Sequence, residues 1–119
     1  LKRRYLSHDS KVIDAYSNDT LIHSKITARL LNAMLAAIVI TQRDAALLNI
    51  PTLLVFAGDD RLVDPRGSDQ LFEKLLPGIG TRHRYDALYH EIFNENKTAA
   101  AAVFNDVSQW LDKQYSISI

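Results

Sequence analysis

The sequence has no cysteine among its 119 residues, which excludes disulfide scaffolds, thiolate metal sites and a cysteine nucleophile. It also has no excess of either charge, with 14 basic and 14 acidic residues. Nucleic-acid binding is therefore not expected, because contacts to phosphate depend on a basic excess. The longest uninterrupted apolar run, residues 33–40, is far shorter than the roughly 20 residues that span a bilayer. The composition predicts one soluble globular domain at most.

A methionine is absent from the first position, which Leu1 occupies. We therefore expect the true beginning of the protein, and any targeting signal, to lie elsewhere.

A helical pattern of apolar residues covers about residues 22–42, and its apolar face is broad. The main interpretation is a buried core helix, and the alternative is a flexible apolar cap over a lipid pocket. The apolar positions that define the pattern are Ile26, Leu30, Leu31, Met34, Leu35 and Ile38.

The second half of the chain predicts two strands and two helices. Residues 52–57 form a continuous apolar run between Pro51 and Gly58, which is typical of a strand buried on both faces in a parallel sheet. A polar segment at 81–86 fits an edge strand, and the clearest amphipathic pattern predicts a last helix over 97–114.

The helix between the two strands has its own start signal. Asp64 is predicted as its N-cap and Pro65 as its first residue. A strand–helix–strand unit of this kind implies a right-handed parallel crossover. Because two parallel strands do not make a stable open sheet alone, the sequence predicts part of a larger α/β fold.

Candidate chemistry lies where the first strand ends. Asp60 follows Gly58 on the loop into the helix, at the carboxyl edge of the sheet, where α/β folds keep their active sites. Asp59 is a competitor that chemistry alone does not separate from Asp60, because either carboxylate can orient an imidazole. Asp64 is better explained as a helix cap.

His90 follows the second strand, so an acid and then a histidine come after successive strands. This order is the one in which α/β-hydrolases place the last two members of a Ser–Asp–His triad. A lone histidine is more often a surface or packing residue, and the weight lies in the combination. His8, His23 and His83 lack the spacing of zinc ligands, so a metal site is not expected.

Three segments carry a resemblance to one family. Residues 50–64, which read IPTLLVFAGDDRLVD, and residues 89–95, YHEIFNE, resemble the monoacylglycerol lipase and lysophospholipase family of α/β-hydrolases. Residues 16–22, YSNDTLI, are similar to its cap-entry segment, with Thr20 in place of the usual proline.

The resemblance implies an α/β fold, namely the C-terminal portion of an α/β-hydrolase with a cap helix followed by strand–helix–strand–helix and parallel strands. Residues 1–49 would be the end of the cap and residues 50–119 the end of the core. By the same resemblance Asp60 matches the catalytic acid and His90 the general base.

Two further positions, Leu62 and Val63, match residues that line the acyl pocket of the family. The nucleophile has no counterpart, since Gly-x-Ser-x-Gly occurs nowhere in the chain, and neither do the oxyanion-hole residues.

The implied reaction is two-step acyl transfer on monoacylglycerols or lysophospholipids, with no metal and no organic cofactor. The implied partners are a lipid ester and either the missing N-terminal half or further copies of the chain. A cytoplasmic location is expected, and peripheral membrane contact through the cap is left open. The alternatives are a non-catalytic, self-associating module and an α/β-hydrolase-fold protein of different chemistry.

Overall fold

The computed structural model describes residues 2–117. Leu1, Ser118 and Ile119, which the predicted ranges 1–49 and 50–119 include, lie outside the described residues. The division at residue 50 stays a prediction. The helices and strands, in chain order, are α1 (Ser10–Asn18), α2 (Ala28–Asp44), β1 (Thr52–Ala57), α3 (Arg66–Lys74), β2 (Gly80–Tyr85) and α4 (Lys97–Ile117).

The two strands form a parallel pair, as predicted, and α3 makes the crossover between them. Their register runs from Thr52 opposite Gly80 to Ala57 opposite Tyr85. The first strand has the predicted bounds, and the second begins one residue earlier than predicted. Both carboxyl ends therefore meet at one edge of the sheet, so the loops that follow β1 and β2 lie side by side.

Helix α2 begins six residues later than the apolar pattern predicts. The cause is a capping residue: the Thr27 hydroxyl accepts a hydrogen bond from the Leu30 amide at 3.1 Å and fixes the first turn at Ala28. Hydroxyl side chains are favoured at this position because they satisfy an amide that has no partner within the helix. The apolar residues before Thr27 belong to the connection.

Helix α3 begins at Arg66, one residue after the predicted start. Asp64 still behaves as a capping side chain, because its Oδ1 accepts from the Arg66 amide at 3.0 Å. Pro65 stands at the N-cap position with no side-chain hydrogen bond. Boundaries that differ by one residue are usual at helix ends. The helix ends at Lys74, and Leu75 follows it as the C-cap residue.

The core lies between the sheet and α4. Val103 of α4 is fully buried and packs with Ala57 at the end of β1 and with Ile92 after β2. Val55, Tyr85 and Leu88 pack against these three residues. The amphipathic face of α4 therefore covers one face of the sheet and supports the loop that carries His90.

Helix α2 contains no buried residue, so its interpretation as a buried core helix is wrong for this chain. It is joined to α3 through Gln42, which donates to the Gly67 carbonyl and accepts from Lys74 Nζ, both at 2.8 Å. No described residue covers the rest of its apolar face. Its exposed apolar side chains are Leu30, Leu31, Met34, Leu35, Ile38, Val39 and Ile40.

By length and composition alone, the 20-residue segment Ala28–Leu47 is long and apolar enough to cross a membrane, with a mean hydropathy of 1.3 in its most apolar 18-residue window. The sequence pattern did not predict a segment of this length, because the uninterrupted apolar run covers only residues 33–40. Asn32 and Thr41, which are polar, lie on either side of that run. One such helix is weak evidence, because the core helix of a soluble protein and a signal sequence pass the same test.

We predict that the chain alone associates in solution. The apolar face of α2 is exposed, and β1 pairs on one side only within residues 2–117. Exposed apolar area and an open strand edge both favour pairing with another chain. Light scattering or sedimentation should show dimers or larger species at micromolar concentration.

A variant of the exposed face provides the control for this prediction. Leu31→Lys with Ile38→Lys should reduce association, whereas Lys11→Ala with Lys113→Ala, outside α2, should leave it unchanged. A wild-type monomer that melts cooperatively at micromolar concentration would contradict the prediction.

Candidate active site

The candidate site is built on the loops that follow β1 and β2. Gly58, just after β1, donates its amide to the Tyr85 carbonyl at 2.8 Å. A side chain at Gly58 would clash, because its Cβ would lie 2.6 Å from Asp86 Cα. Only glycine therefore lets the two strand ends approach this closely, and the approach brings the loops carrying Asp60 and His90 together.

Asp60 and His90 are in direct contact. His90 Nδ1 lies 2.7 Å from Asp60 Oδ2, although the two residues are 30 apart in the chain. The other carboxylate oxygen, Oδ1, accepts from the amides of Leu62 at 2.8 Å and Val63 at 3.0 Å. The Asp60 side chain is 11% exposed and the His90 side chain 38%, so the acid is fixed below a ring that solvent or a substrate can reach.

The hydrogen bonds of Asp60 also determine its charge. Burial disfavours the charged form, but the hydrogen bonds from the Val63 amide, His90 and the Leu62 amide outweigh it and hold the pKa of Asp60 below its ordinary value. Asp60 is therefore a carboxylate at neutral pH. In this form it can accept a hydrogen bond from an N–H group at His90 Nδ1.

The geometry separates Asp59 from Asp60, an alternative that the sequence left open. Asp59 faces Arg61, with Oδ1 and Oδ2 each 3.0 Å from a guanidinium nitrogen. The hydrogen bonds from Arg61 lower the pKa of Asp59. Asp59 has no hydrogen bond to His90 within the described part of the chain. Of the two neighbours, Asp60 is the one that contacts the imidazole.

Two cavities adjoin the site, and Val63 lines both. One, of about 420 Å³, includes Asp60, His90 and Phe93 in its wall. The other, of about 670 Å³, lies between α2 and α3. Leu62 lines neither of these two cavities; its side chain is half-buried and its amide binds Asp60. The predicted role in an acyl pocket therefore fits the position of Val63 better than that of Leu62.

A second polar cluster lies beside His90, and the sequence patterns did not indicate it. Glu95 is buried and accepts hydrogen bonds from Ser7, His8 and Tyr89. The only sequence signal was that Glu95 closes the segment 89–95, which resembles the lipase family. Among residues 2–117, no three His, Asp or Glu side chains converge as they would around a metal ion. The expectation that no metal or cofactor is needed stays a prediction.

The parallel strands, with an acid and a histidine joined at their carboxyl edge, define the chain as part of an α/β-hydrolase fold. The model of the family described as serine aminopeptidase, S33, matches residues 1–97. The chain therefore belongs to this family of hydrolases, and its similarity to monoacylglycerol lipases agrees with the predicted resemblance.

Relatives with known names are longer than the chain. A monoacylglycerol lipase of Mycolicibacterium smegmatis is 32% identical over 107 residues, which cover 89% of the chain and 38% of the relative. A phospholipase of Bacillus subtilis is 34% identical over 108 residues, which cover 84% of the chain and 40% of the relative. The crystal structure of a monoacylglycerol lipase of Paleococcus ferrophilus superposes with a TM-score of 0.79 at 26% identity, over 93% of the chain and 43% of that structure. The chain thus spans about two fifths of the length of these relatives.

Proposed function

We propose that the chain supplies the acid and the base of a serine hydrolase that cleaves carboxylic esters of lipids. Asp60 is the proposed acid and His90 the proposed general base. The observation that carries the proposal is the 2.7 Å contact between Asp60 Oδ2 and His90 Nδ1 at the carboxyl edge of the sheet. Membership of a hydrolase family supports the same reaction class.

The reaction follows from which nitrogen Asp60 holds. With Nδ1–H donated to Asp60, His90 Nε2 is the nitrogen that can accept a proton. It would take the proton of a serine hydroxyl while the serine oxygen attacks the ester carbonyl. The same proton then passes to the leaving alcohol, and an acyl-enzyme remains. In the second step, His90 takes a proton from water while the water oxygen attacks the acyl carbonyl. The bond between the acyl group and the serine oxygen then breaks, His90 returns the proton to that oxygen, and the fatty acid is released. Asp60 stays ionised throughout and holds the ring in one tautomer.

The proposed substrates are monoacylglycerols or lysophospholipids. The names of the similar proteins, monoacylglycerol lipase and phospholipase, support this class. The two cavities that meet at Val63 support it as well, because their walls carry apolar side chains such as Ile38, Leu71 and Phe93. An acyl chain buried beside the acid and the base would be held mainly by apolar contacts.

The proposed nucleophile lies outside these 119 residues, since they contain no Gly-x-Ser-x-Gly. The coding sequence upstream decides the class of chemistry. A serine at the nucleophile position supports the proposed ester hydrolase, and an aspartate would point to a different reaction on the same fold. A non-catalytic, self-associating module is the second candidate, because the apolar face of α2 is uncovered.

We predict that the chain alone has no esterase activity and is not labelled by a fluorophosphonate probe. Without a nucleophile, a His–Asp pair and water give little acceleration. Mass spectrometry of the probe-treated chain should show the unmodified mass, and an active serine hydrolase in the same tube should be labelled as a control. Stoichiometric labelling of any serine of this chain would contradict the proposal that the nucleophile lies elsewhere.

A further inference from the structure

Glu95 is the most completely buried charged side chain near the site, with 0% of the side chain exposed. Its Oε1 accepts from the Tyr89 amide at 3.0 Å and lies 2.9 Å from His8 Nδ1. Its Oε2 accepts from the His8 amide at 2.9 Å and from the Ser7 hydroxyl at 3.4 Å. A buried carboxylate with donors on both oxygens is satisfied only while all of these groups keep their places.

The hydrogen bonds of Glu95 keep it charged despite burial. Burial alone would disfavour the carboxylate, but donation from the Tyr89 amide and from the ring and amide of His8 lowers the pKa of Glu95. Without the charge on Glu95, the buried amides of His8 and Tyr89 would lose a charged hydrogen-bond acceptor. Weakened hydrogen bonds to buried donors lower the stability of the fold.

Three consecutive amides around His90 are held by this cluster and by the segment next to it. The Tyr89 amide donates to Glu95, the His90 amide to the Tyr5 carbonyl at 3.4 Å, and the Glu91 amide to the Leu6 carbonyl at 2.8 Å. The backbone at and after His90 is therefore held by residues that lie more than 80 positions earlier in the chain, and the backbone before it is held by Glu95, six positions after Tyr89.

The side chains repeat this link between the two segments. The His8 ring stacks on Tyr89, with ring centres 3.7 Å apart and planes within 19°. Tyr5 meets the same Tyr89 ring edge-on at 5.8 Å. Glu95 therefore joins the segment 5–8 to the loop 89–91 through its carboxylate, and the stacked rings join them again at the surface.

We propose that Glu95 is a positioning residue for His90. Through Tyr89 and the segment 5–8, it fixes the loop 89–91 so that His90 Nδ1 stays at Asp60. This inference rests on the proposed function, since it assigns His90 the role of base. Glu95 itself does not touch His90 or the proposed reacting atoms, so its effect is on the placement of the ring.

The kinetic test uses the intact hydrolase, which unites this chain with the part that carries the nucleophile. Glu95→Gln keeps the shape of the side chain but replaces one carboxylate oxygen by an amide nitrogen, which cannot accept a hydrogen bond. The donors to either Oε1 or Oε2 therefore lose their acceptor. We expect kcat to fall about ten- to a hundredfold with KM nearly unchanged, because a displacement of about 1 Å at a catalytic group has an effect of this size. Glu73→Gln, the same change on the exposed outer side of α3, should leave both constants at the wild-type values.

A spectroscopic readout separates this inference from the proposed function. The His90 Nδ1 proton, bound to a carboxylate, should give a proton resonance far downfield in the wild type and in Glu73→Gln. It should weaken or disappear in Glu95→Gln. If the wild type has no esterase activity, the proposed function fails, and this resonance still tests the positioning. Wild-type kcat together with an unchanged resonance in Glu95→Gln would overturn the inference.

A second variant covers the case in which Glu95→Gln does not fold. His8→Phe keeps an aromatic ring on Tyr89 and the His8 backbone amide, and it removes only the ring contact to Glu95 Oε1. A severalfold lower kcat and a broadened His90 resonance would support the inference. His8→Phe with wild-type kcat and resonance would overturn it.

Discussion

Replacement of His90 by alanine should lower kcat of the intact hydrolase by on the order of 10⁴-fold or more, since nucleophile and base act as a unit. The imidazole is the group that Asp60 holds at 2.7 Å, and alanine leaves no group to take the proton of the serine. The proposed lipid substrate would be held mainly by apolar contacts, so KM should change little. Release of fatty acid from a monoacylglycerol, followed at saturating substrate, measures the effect.

A second histidine provides the matched control. His83 lies in β2, with its Nδ1 3.7 Å from Asp106 of α4, and it has no contact with Asp60 among the described residues. His83→Ala should keep kcat within about threefold of the wild type, because loss of a partly exposed side-chain contact costs little stability and leaves the contact between Asp60 and His90 in place. Retention of more than a tenth of wild-type kcat in His90→Ala would show that His90 is not the base.

The parts of the fold that follow from local patterns could be predicted from the sequence. The strand 52–57 is bounded by Pro51 and Gly58, and its short apolar run is typical of a strand buried on both faces of a parallel sheet. The structure has this strand at Thr52–Ala57. The parallel pairing followed because a helix-length connection separates the strands.

Other features depend on contacts that no local pattern contains. Apolar periodicity alone could not give the start of α2, which a single hydroxyl at Thr27 determines. It also could not tell whether α2 is covered, since burial depends on what packs against the helix. The Glu95 cluster joins residues 87 or 88 positions apart, and a glutamate before a helix is usually a solvated residue.

The choice between Asp59 and Asp60 shows the same limit at the site. Both are aspartates in one turn after β1, so composition and spacing treat them alike. The structure distinguishes them because the amides of Leu62 and Val63 point at Asp60, while Arg61 binds Asp59. The direction of a side chain in a turn is set by such local donors, and these are visible only in three dimensions.

Replacement of Asp60 by asparagine should lower kcat by about 10⁴-fold, the effect seen when the orienting acid of a triad becomes an amide. The amides of Leu62 and Val63 both donate to one oxygen of Asp60. In Asp60→Asn they would hold the carbonyl oxygen, so the amide nitrogen would face His90 Nδ1 and donate to it. His90 would then carry its proton on Nε2 and could not accept one from a serine.

Asp59→Asn is the matched control, since it makes the same chemical change one residue earlier. Asp59 is 39% exposed and pairs with Arg61, which is 49% exposed. Loss of such a pair lowers the free energy of unfolding by about 1 kcal/mol or less. Because the hydrogen bonds of Asp59 go to Arg61 rather than to His90, kcat should stay within about tenfold of the wild type. The two variants assayed side by side for fatty-acid release measure the difference. If Asp59→Asn abolishes turnover while Asp60→Asn keeps it, the proposed acid is wrong by one position, and the 2.7 Å contact of Asp60 with His90 would have a structural role only.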